Sequence, residues 1–327
     1  MRKLLRWLKD YSIGKKRNKS LPLKTIKFLF KFILGLLAIL LIAVLAMAAI
    51  LFIQINRSDG EVITSGQARK YLLHVPAGYD PSVPTPLVIS IHGYAEWPAH
   101  QMQLSRWNEL ADQENFFVVY PSGSNFPLRW RTNGLGDSLQ DVQFISDLLD
   151  DLEMDYNIDP LRIYANGLSN GGGMSFLLAC KLSDHIAAFG GISGAYVLDW
   201  ENCYPDRPVP GIIFHGTADP IVPFEGGPSE SFDVPFPNIP TWVRQLAEKN
   251  GCNLTPDQLP AQGDVSGKGF QNCDQNANVE FYVIDGGGHS WPGGDPLPEW
   301  IVGYTSDDID TTRVMWNFFQ AHRMENQ

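Results

Sequence analysis

The chain has 327 residues, 44% hydrophobic and 12% aromatic, enough for one large α/β domain or two small ones behind an N-terminal segment. Its net charge of −11 hides an asymmetry: residues 1–31 carry eleven Lys/Arg against Asp10 alone, a net of +10, so the remainder carries −21. The acidic main part excludes nucleic acid as a partner, and the basic N-terminus needs its own explanation.

Phe32 to Ile53 is an uncharged apolar run of 22 residues bounded by Lys31 and Arg57. That length spans the roughly 30 Å hydrocarbon core of a bilayer as a helix. Basic residues on its N-terminal side place that side in the cytoplasm and the acidic part outside, in the extracellular or periplasmic space. A cleaved signal peptide, with Ala46-Met-Ala48 as the cleavage site, is the competing reading. It fits less well, because the basic region is long and the apolar run continues past Ala48. Leu4, Leu5, Trp7 and Leu8, set among Arg2, Lys3, Arg6 and Lys9, are candidates for a basic amphipathic helix on the inner leaflet, with a disordered tail as the alternative. The expected organisation is a basic cytoplasmic tail at 1–31, a transmembrane helix at 32–55, a linker at 56–66 and a catalytic domain over 67–327.

Within that domain Tyr71–Val75 reads as a strand. Leu87–Ile91 is a near-continuous apolar run, as expected of a strand buried on both faces, and it ends in His92-Gly93-Tyr94. Gln101–Gln113 has helical periodicity through Met102, Leu104, Trp107 and Leu110. Phe116–Tyr120 is a second buried strand, and Val142 to Leu152 repeat at helical spacing. Ile163–Ala165, Ala187–Ile192, Gly211–Phe214 and Val279–Ile284 complete the strands. Helices are expected around Trp242–Leu246 and over Thr311–Ala321, the last capped by Asp310. Strands alternating with helices imply a mostly parallel sheet with helices on both faces. Four cysteines in an exported part suggest disulfides, and proximity in sequence pairs Cys180 with Cys203 and Cys252 with Cys273.

The chemistry centres on Gly167-Leu-Ser169-Asn-Gly171, a G-x-S-x-G between the strand at 163–165 and an apolar run from Met174 to Cys180. Strand, sharp turn and helix form the context of a nucleophile elbow, although an ordinary glycine-rich turn reads the same in these five residues. A side chain at 167 or 171 is expected to collide with the neighbouring elements. A serine hydroxyl attacks only when a base takes its proton and an acid holds that base. After Ser169 the chain offers Asp219, just beyond a strand, and then His289 in a glycine-rich loop after the last strand. Asp219 as a simple turn cap, Asp285 or Asp295 as the acid, and His289 as a structural loop residue are the alternatives. His215, at a strand end, is expected to serve packing. The two oxyanion donors are expected to be the backbone N–H groups of Asn170 and Tyr94. Trp291, Trp97 and Trp130 are candidate substrate contacts. No cysteine spacing resembles a zinc site, and no metal or cofactor is expected.

Together these residues resemble the exported polyhydroxybutyrate depolymerase and feruloyl/acetylxylan esterase family of α/β-hydrolases. The matching pieces are Leu87–Gly93, Asp141-Val142 with Phe144-Ile145, Tyr156–Pro160, Gly167–Gly172, Arg207–Pro210, His215–Asp219 and His289–Gly293, so the likeness covers roughly residues 68–322. It implies an α/β-hydrolase fold with Ser169 as nucleophile, Asp219 as acid and His289 as base, and it supports the two disulfides. Tyr94 and Gly173 depart from residues frequent in that family. No linker to a separate polymer-binding module is expected from this sequence, which favours a small-molecule or cell-surface ester over an insoluble polyester. A serine peptidase on the same fold, or a non-catalytic surface-binding protein, are the other functional readings.

Overall fold

A computed structural model describes residues 22–229, 232 and 234–325, so the basic amphipathic stretch around Trp7 lies outside the described residues. The chain divides into two units that part between Ile53 and Gln54.

The first unit is dominated by α1, Leu23–Asn56, 34 residues long and so about 50 Å at 1.5 Å per residue. Leu, Ala and Ile fill it and no proline interrupts it. Its mean hydropathy reaches 3.3, which makes it long and apolar enough to cross a membrane, a test that a signal sequence also passes. It starts well before residue 32 and takes in Lys24, Lys27 and Lys31.

In the second unit the expected linker is partly structured. Gly60–Thr64 forms β1 and pairs antiparallel with β2, Gln67–His74, through Ser65 and Gly66. Both turn residues have positive φ, 48° and 76°, which is what a two-residue hairpin turn matched to strand twist requires. Linker-like polarity concealed this strand because only Val62 and Thr64 face inward.

Among the described residues, ten strands form a single sheet in the order β1-β2-β4-β3-β5-β6-β7-β10-β9-β8. Its centre is parallel: β4 (Phe117–Pro121), β3 (Thr85–Ile91), β5 (Ile158–Leu168), β6 (Ala188–Ile192), β7 (Gly211–Gly216) and β10 (Val279–Ile284). Antiparallel strands flank it, β1 and β2 on one side, β9 (Val265–Phe270) and β8 (Asp257–Gln262) on the other. Alternation along β3 divides the core. Leu87, Ile89 and Ile91 face the layer of α4 (Ser138–Asp155), α5 (Asn170–Lys181) and α6 (Ile239–Lys249). Val88 faces α2 (Pro98–Ser105), α3 (Trp107–Glu114) and α7 (Thr311–Ala321).

Two differences from the sequence reading have clear causes. The single helix expected over 101–113 is two, broken at Arg106, whose φ is 56°. The break frees the Ser105 carbonyl, which accepts a hydrogen bond from Thr312 Oγ1 at 2.6 Å. The β8–β9 hairpin was not foreseen: β8 is almost wholly solvent-facing and lacks an apolar stripe. Both expected disulfides are present, Cys180–Cys203 and Cys252–Cys273, and the second closes the segment that holds this hairpin.

Candidate active site

All the parallel strands end at the same edge of the sheet, so the loops after β3, β5, β7 and β10 gather there. Ser169 stands directly after β5 and before α5, with φ 57° and ψ −119°, a conformation that costs a non-glycine residue about 1–3 kcal/mol. Tight packing holds it there. A Cβ at Gly167 would lie 2.6 Å from the Ile91 carbonyl oxygen and against the Gly171 backbone. A Cβ at Gly171 would run into the Ile91 carbonyl and sit 2.8 Å from the His92 oxygen. The expected collisions are therefore present, and Gly173 adds another against the Ala195 carbonyl. The Ser169 backbone is tied to the next strand, its N–H to the Ile192 oxygen at 2.9 Å and its carbonyl to the Ala195 N–H at 2.9 Å.

Strands β7 and β10 are parallel neighbours, so the loops leaving them meet. His289 Nδ1 lies 2.8 Å from Asp219 Oδ2. The other oxygen, Oδ1, accepts the N–H groups of Ile221 and Val222, each at 2.8 Å. Asp219 thus caps its own turn and also engages His289. Burial alone would raise the Asp219 carboxyl, but the neighbouring His289 and the hydrogen bonds outweigh it and hold the group below the ordinary aspartate value. The two other acids weighed from sequence lie elsewhere. Asp285 accepts from Thr217 Oγ1, and Asp295 from the Gln103 amide. The His289 loop is fastened by two backbone bonds that the sequence does not advertise, Gly288 N–H to the Tyr304 oxygen and His289 N–H to the Val302 oxygen. His215 is fully buried, with Nε2 2.8 Å from the Val222 oxygen and 3.5 Å from Asp219 Oδ2, which fits the packing role expected of it. Burial lowers its pKa.

Ser169 and His289 both line one open cavity of about 530 Å³. Its other walls are mostly apolar, with Ile221, Val222, Phe232, Phe236, Leu297 and Ile301 prominent. Gly93, Tyr94 and Glu96 enter it from the loop after β3. Asn170 is buried at the start of α5, where backbone N–H groups lack partners within the helix. Its side chain clasps the backbone of Trp130, accepting from the N–H at 2.7 Å and donating to the oxygen at 3.0 Å.

The three tryptophans expected at the substrate do not line this cavity. Trp291 is fully buried and donates its indole N–H to Thr312 Oγ1, which pins the loop after β10 to the helical layer below. Trp130 is buried too, stacked with Phe144, and its indole N–H holds the His92 oxygen. Trp97 packs on the His100 ring at 5.2 Å. Aromatic residues close in sequence to a catalytic motif were here drawn into the core, because only the outer loops reach the cavity.

The site also depends on a buried pair absent from the sequence reading. Arg69 Nη1 bonds Asp141 Oδ1 at 2.9 Å, and Asp141 Oδ2 accepts the Arg131 N–H at 3.0 Å. Arg69 also donates to the Ser122 oxygen, so the pair fastens both ends of the loop that carries Trp130. Burial lowers the pKa of the Arg69 guanidinium, an effect that Asp141 opposes.

Comparison with known proteins adds to this geometry. A family model described as esterase PHB depolymerase matches residues 69–204. Feruloyl esterase C of Emericella nidulans is 30% identical over 265 residues, which cover 77% of this chain and 84% of that protein. A bifunctional acetylxylan esterase/xylanase of Neocallimastix patriciarum is 27% identical over 243 residues, 72% of this chain and 33% of that protein. Feruloyl esterase B of Piromyces equi is 29% identical over 230 residues, 68% of this chain and 42% of that protein. The chain therefore spans less than half the length of these last two relatives. Among solved structures, the acetyl xylan esterase from Aspergillus awamori superposes with a TM-score of 0.52 at 15% identity, over 71% of this chain and 93% of that one, a likeness of fold.

Proposed function

The chain belongs to the esterase PHB depolymerase family, and from that premise we propose that it is a serine carboxylic-ester hydrolase working through Ser169, His289 and Asp219. The observation that carries this reading is the shared cavity: Ser169 and His289 both line it, and the Nδ1 side of the imidazole is held by a buried aspartate. With Nδ1–H donated to Asp219, the His289 Nε2 lone pair is free to act as base.

In the proposed reaction Nε2 takes the Ser169 Oγ proton as Oγ bonds to the ester carbonyl carbon. The carbonyl π electrons move to oxygen, and the backbone N–H groups of Asn170 and Tyr94 receive that oxyanion. As the carbonyl re-forms, the bond to the alcohol oxygen breaks and His289 returns the proton to it. Water then repeats the sequence on the acyl-enzyme, releasing acid and restoring Ser169.

The apolar walls, and a volume far larger than an acetyl group needs, favour a bulky apolar or aromatic acyl group. The helix α1, read as an uncleaved anchor with a cytoplasmic N-terminus, and the two disulfides support action outside the membrane. A test uses the domain from about residue 58 with matched feruloyl, butyryl and acetyl esters and a fluorophosphonate probe. The expected result is labelling at Ser169 and a kcat/KM for the feruloyl ester at least about tenfold above the acetyl ester. Labelling elsewhere, or a preference for acetyl, contradicts the reading.

A further inference from the structure

The loop after β3 is fixed by several hydrogen bonds to its backbone. The Gly93 N–H donates to Glu96 Oε2 at 2.8 Å. The Gly93 oxygen lies 2.7 Å from His92 Nδ1 and also accepts the Glu96 N–H at 3.3 Å. The Ala95 N–H donates to the Leu128 oxygen at 2.8 Å. His92 Nε2 accepts the Gly123 N–H, so the ring proton sits on Nδ1 and points at Gly93. Among the described residues no protein acceptor meets the Tyr94 N–H, and of the N–H groups between Gly93 and Glu96 it alone stays available to a ligand. The Gly93 oxygen and the Tyr94 N–H belong to one planar trans peptide, so anchoring the oxygen aims the N–H the opposite way.

We propose that Glu96 is a positioning residue for the second oxyanion donor: its carboxylate holds the Gly93 N–H and so orients the Tyr94 peptide beside Ser169. This rests on reading Ser169 as the nucleophile. A Cβ at position 93 would sit 2.9 Å from Glu96 Oε2, so glycine there lets the carboxylate approach the N–H without being displaced. Glu96 lines the same cavity as Ser169, and its side chain is only 19% exposed.

A carboxylate beside a developing oxyanion raises the barrier unless its own charge is compensated. His100 Nδ1 lies 3.5 Å from Glu96 Oε1 and supplies that compensation. Burial works against both charges. Even so, the mutual attraction leaves the Glu96 carboxyl below its ordinary value and the His100 imidazole above its own. His92, the other titratable group facing Glu96, is driven by burial to about 4 and stays neutral near pH 7. The attraction to His100 thus offsets part of the carboxylate's charge while Oε2 stays an acceptor for the loop.

The experiment compares Glu96→Gln, Glu96→Asp and Glu96→Ala with the unmodified enzyme on a p-nitrophenyl ester, alongside Ser169→Ala. Losing a whole oxyanion donor costs about 10²–10³ in kcat, so misorienting one is expected to cost about 10–100-fold, with KM changed less than about threefold. Glu96→Gln keeps an oxygen for the Gly93 N–H and is expected to stay within about threefold of the starting kcat. Glu96→Asp keeps the charge but falls short of the N–H, and is expected to drop with Glu96→Ala. Affinity for a boronic acid that forms a tetrahedral anion on serine should fall in step with kcat, and affinity for the neutral alcohol product should not. An undiminished kcat in Glu96→Asp, or a Glu96→Gln as impaired as Glu96→Asp, overturns the proposal even if Glu96→Ala fails to fold. Turnover surviving in Ser169→Ala would instead overturn the nucleophile assignment and is read independently.

Discussion

The two halves of the candidate site are held by different physics. On the elbow side, steric exclusion sets the geometry: Gly167, Gly171 and Gly173 abut backbone atoms of β3 and of the loop after β6, and Ser169 is forced to a positive φ. On the acid–base side, hydrogen bonds set it: Asp219 is placed by two backbone N–H groups, and His289 by Asp219 and by the chain around Val302. Close packing transmits any added atom to the fold, whereas a hydrogen-bonded pair can lose its chemistry and keep its shape. Substitutions on the first side should therefore act through stability and geometry together, and those on the second through proton transfer alone.

The largest separation of the two effects is expected at Asp219. Asp219→Asn still offers an oxygen to the Ile221 and Val222 N–H groups, but its amide cannot accept from His289 Nδ1–H. The tautomer is then wrong for a base at Nε2, and kcat should fall about 10⁴-fold while the thermal midpoint moves little. Steady-state kinetics with a melting curve on the same sample checks both halves of that statement. A matching loss of stability would erase the contrast.

Stability without chemistry is expected to dominate at the loop that the elbow leans on. Asp141→Ala leaves the Arg69 guanidinium buried without its partner, at a cost of about 3–5 kcal/mol in denaturant unfolding. The enzyme that remains folded should keep its kcat to within a few-fold, because Asp141 touches no reacting atom.

A smaller, pH-dependent effect belongs to the oxyanion side. His92 has an ordinary pKa of 6.5 and a folded value of about 4, lowered chiefly by burial. Between those values the unfolded chain binds a proton that the folded chain refuses. The stability that His92 contributes is therefore complete above about pH 6.5 and is lost as pH falls toward 4, by about 3 kcal/mol. Unfolding at pH 7 and pH 4.5 should show that slope, and His92→Gln should flatten it. An equal slope in both proteins would remove His92 as its cause.

These contrasts bear on how far the sequence could be read. The parallel strands were legible because β3, β4 and the Ile163–Ala165 part of β5 are buried on both faces and mainly apolar. Ser169, Asp219 and His289 were legible because each follows a strand end in glycine- or proline-bearing sequence. Edge elements were not: β1 and β8 bury too little to leave a pattern, and the break at Arg106 has neither glycine nor proline to mark it. The cavity wall was misassigned for a related reason. Trp130 and Trp291 look like substrate platforms in a string of letters, but their indole N–H groups are spent on His92 and Thr312. Among the residues that do reach the cavity, Ile221, Phe232 and Leu297 come from loops and Ile301 from the single helical turn Glu299–Val302. The roles of Glu96 and Asp141 were not legible, because a single acid gives no sign of which backbone N–H it will meet.

The central claim is that Ser169 carries the covalent step. Replacing it with alanine removes only the hydroxyl, and kcat toward a p-nitrophenyl ester should fall by at least about 10⁴-fold in a protein that melts at the unmodified temperature. Turnover by Ser169→Ala within tenfold of the unmodified enzyme would contradict the account.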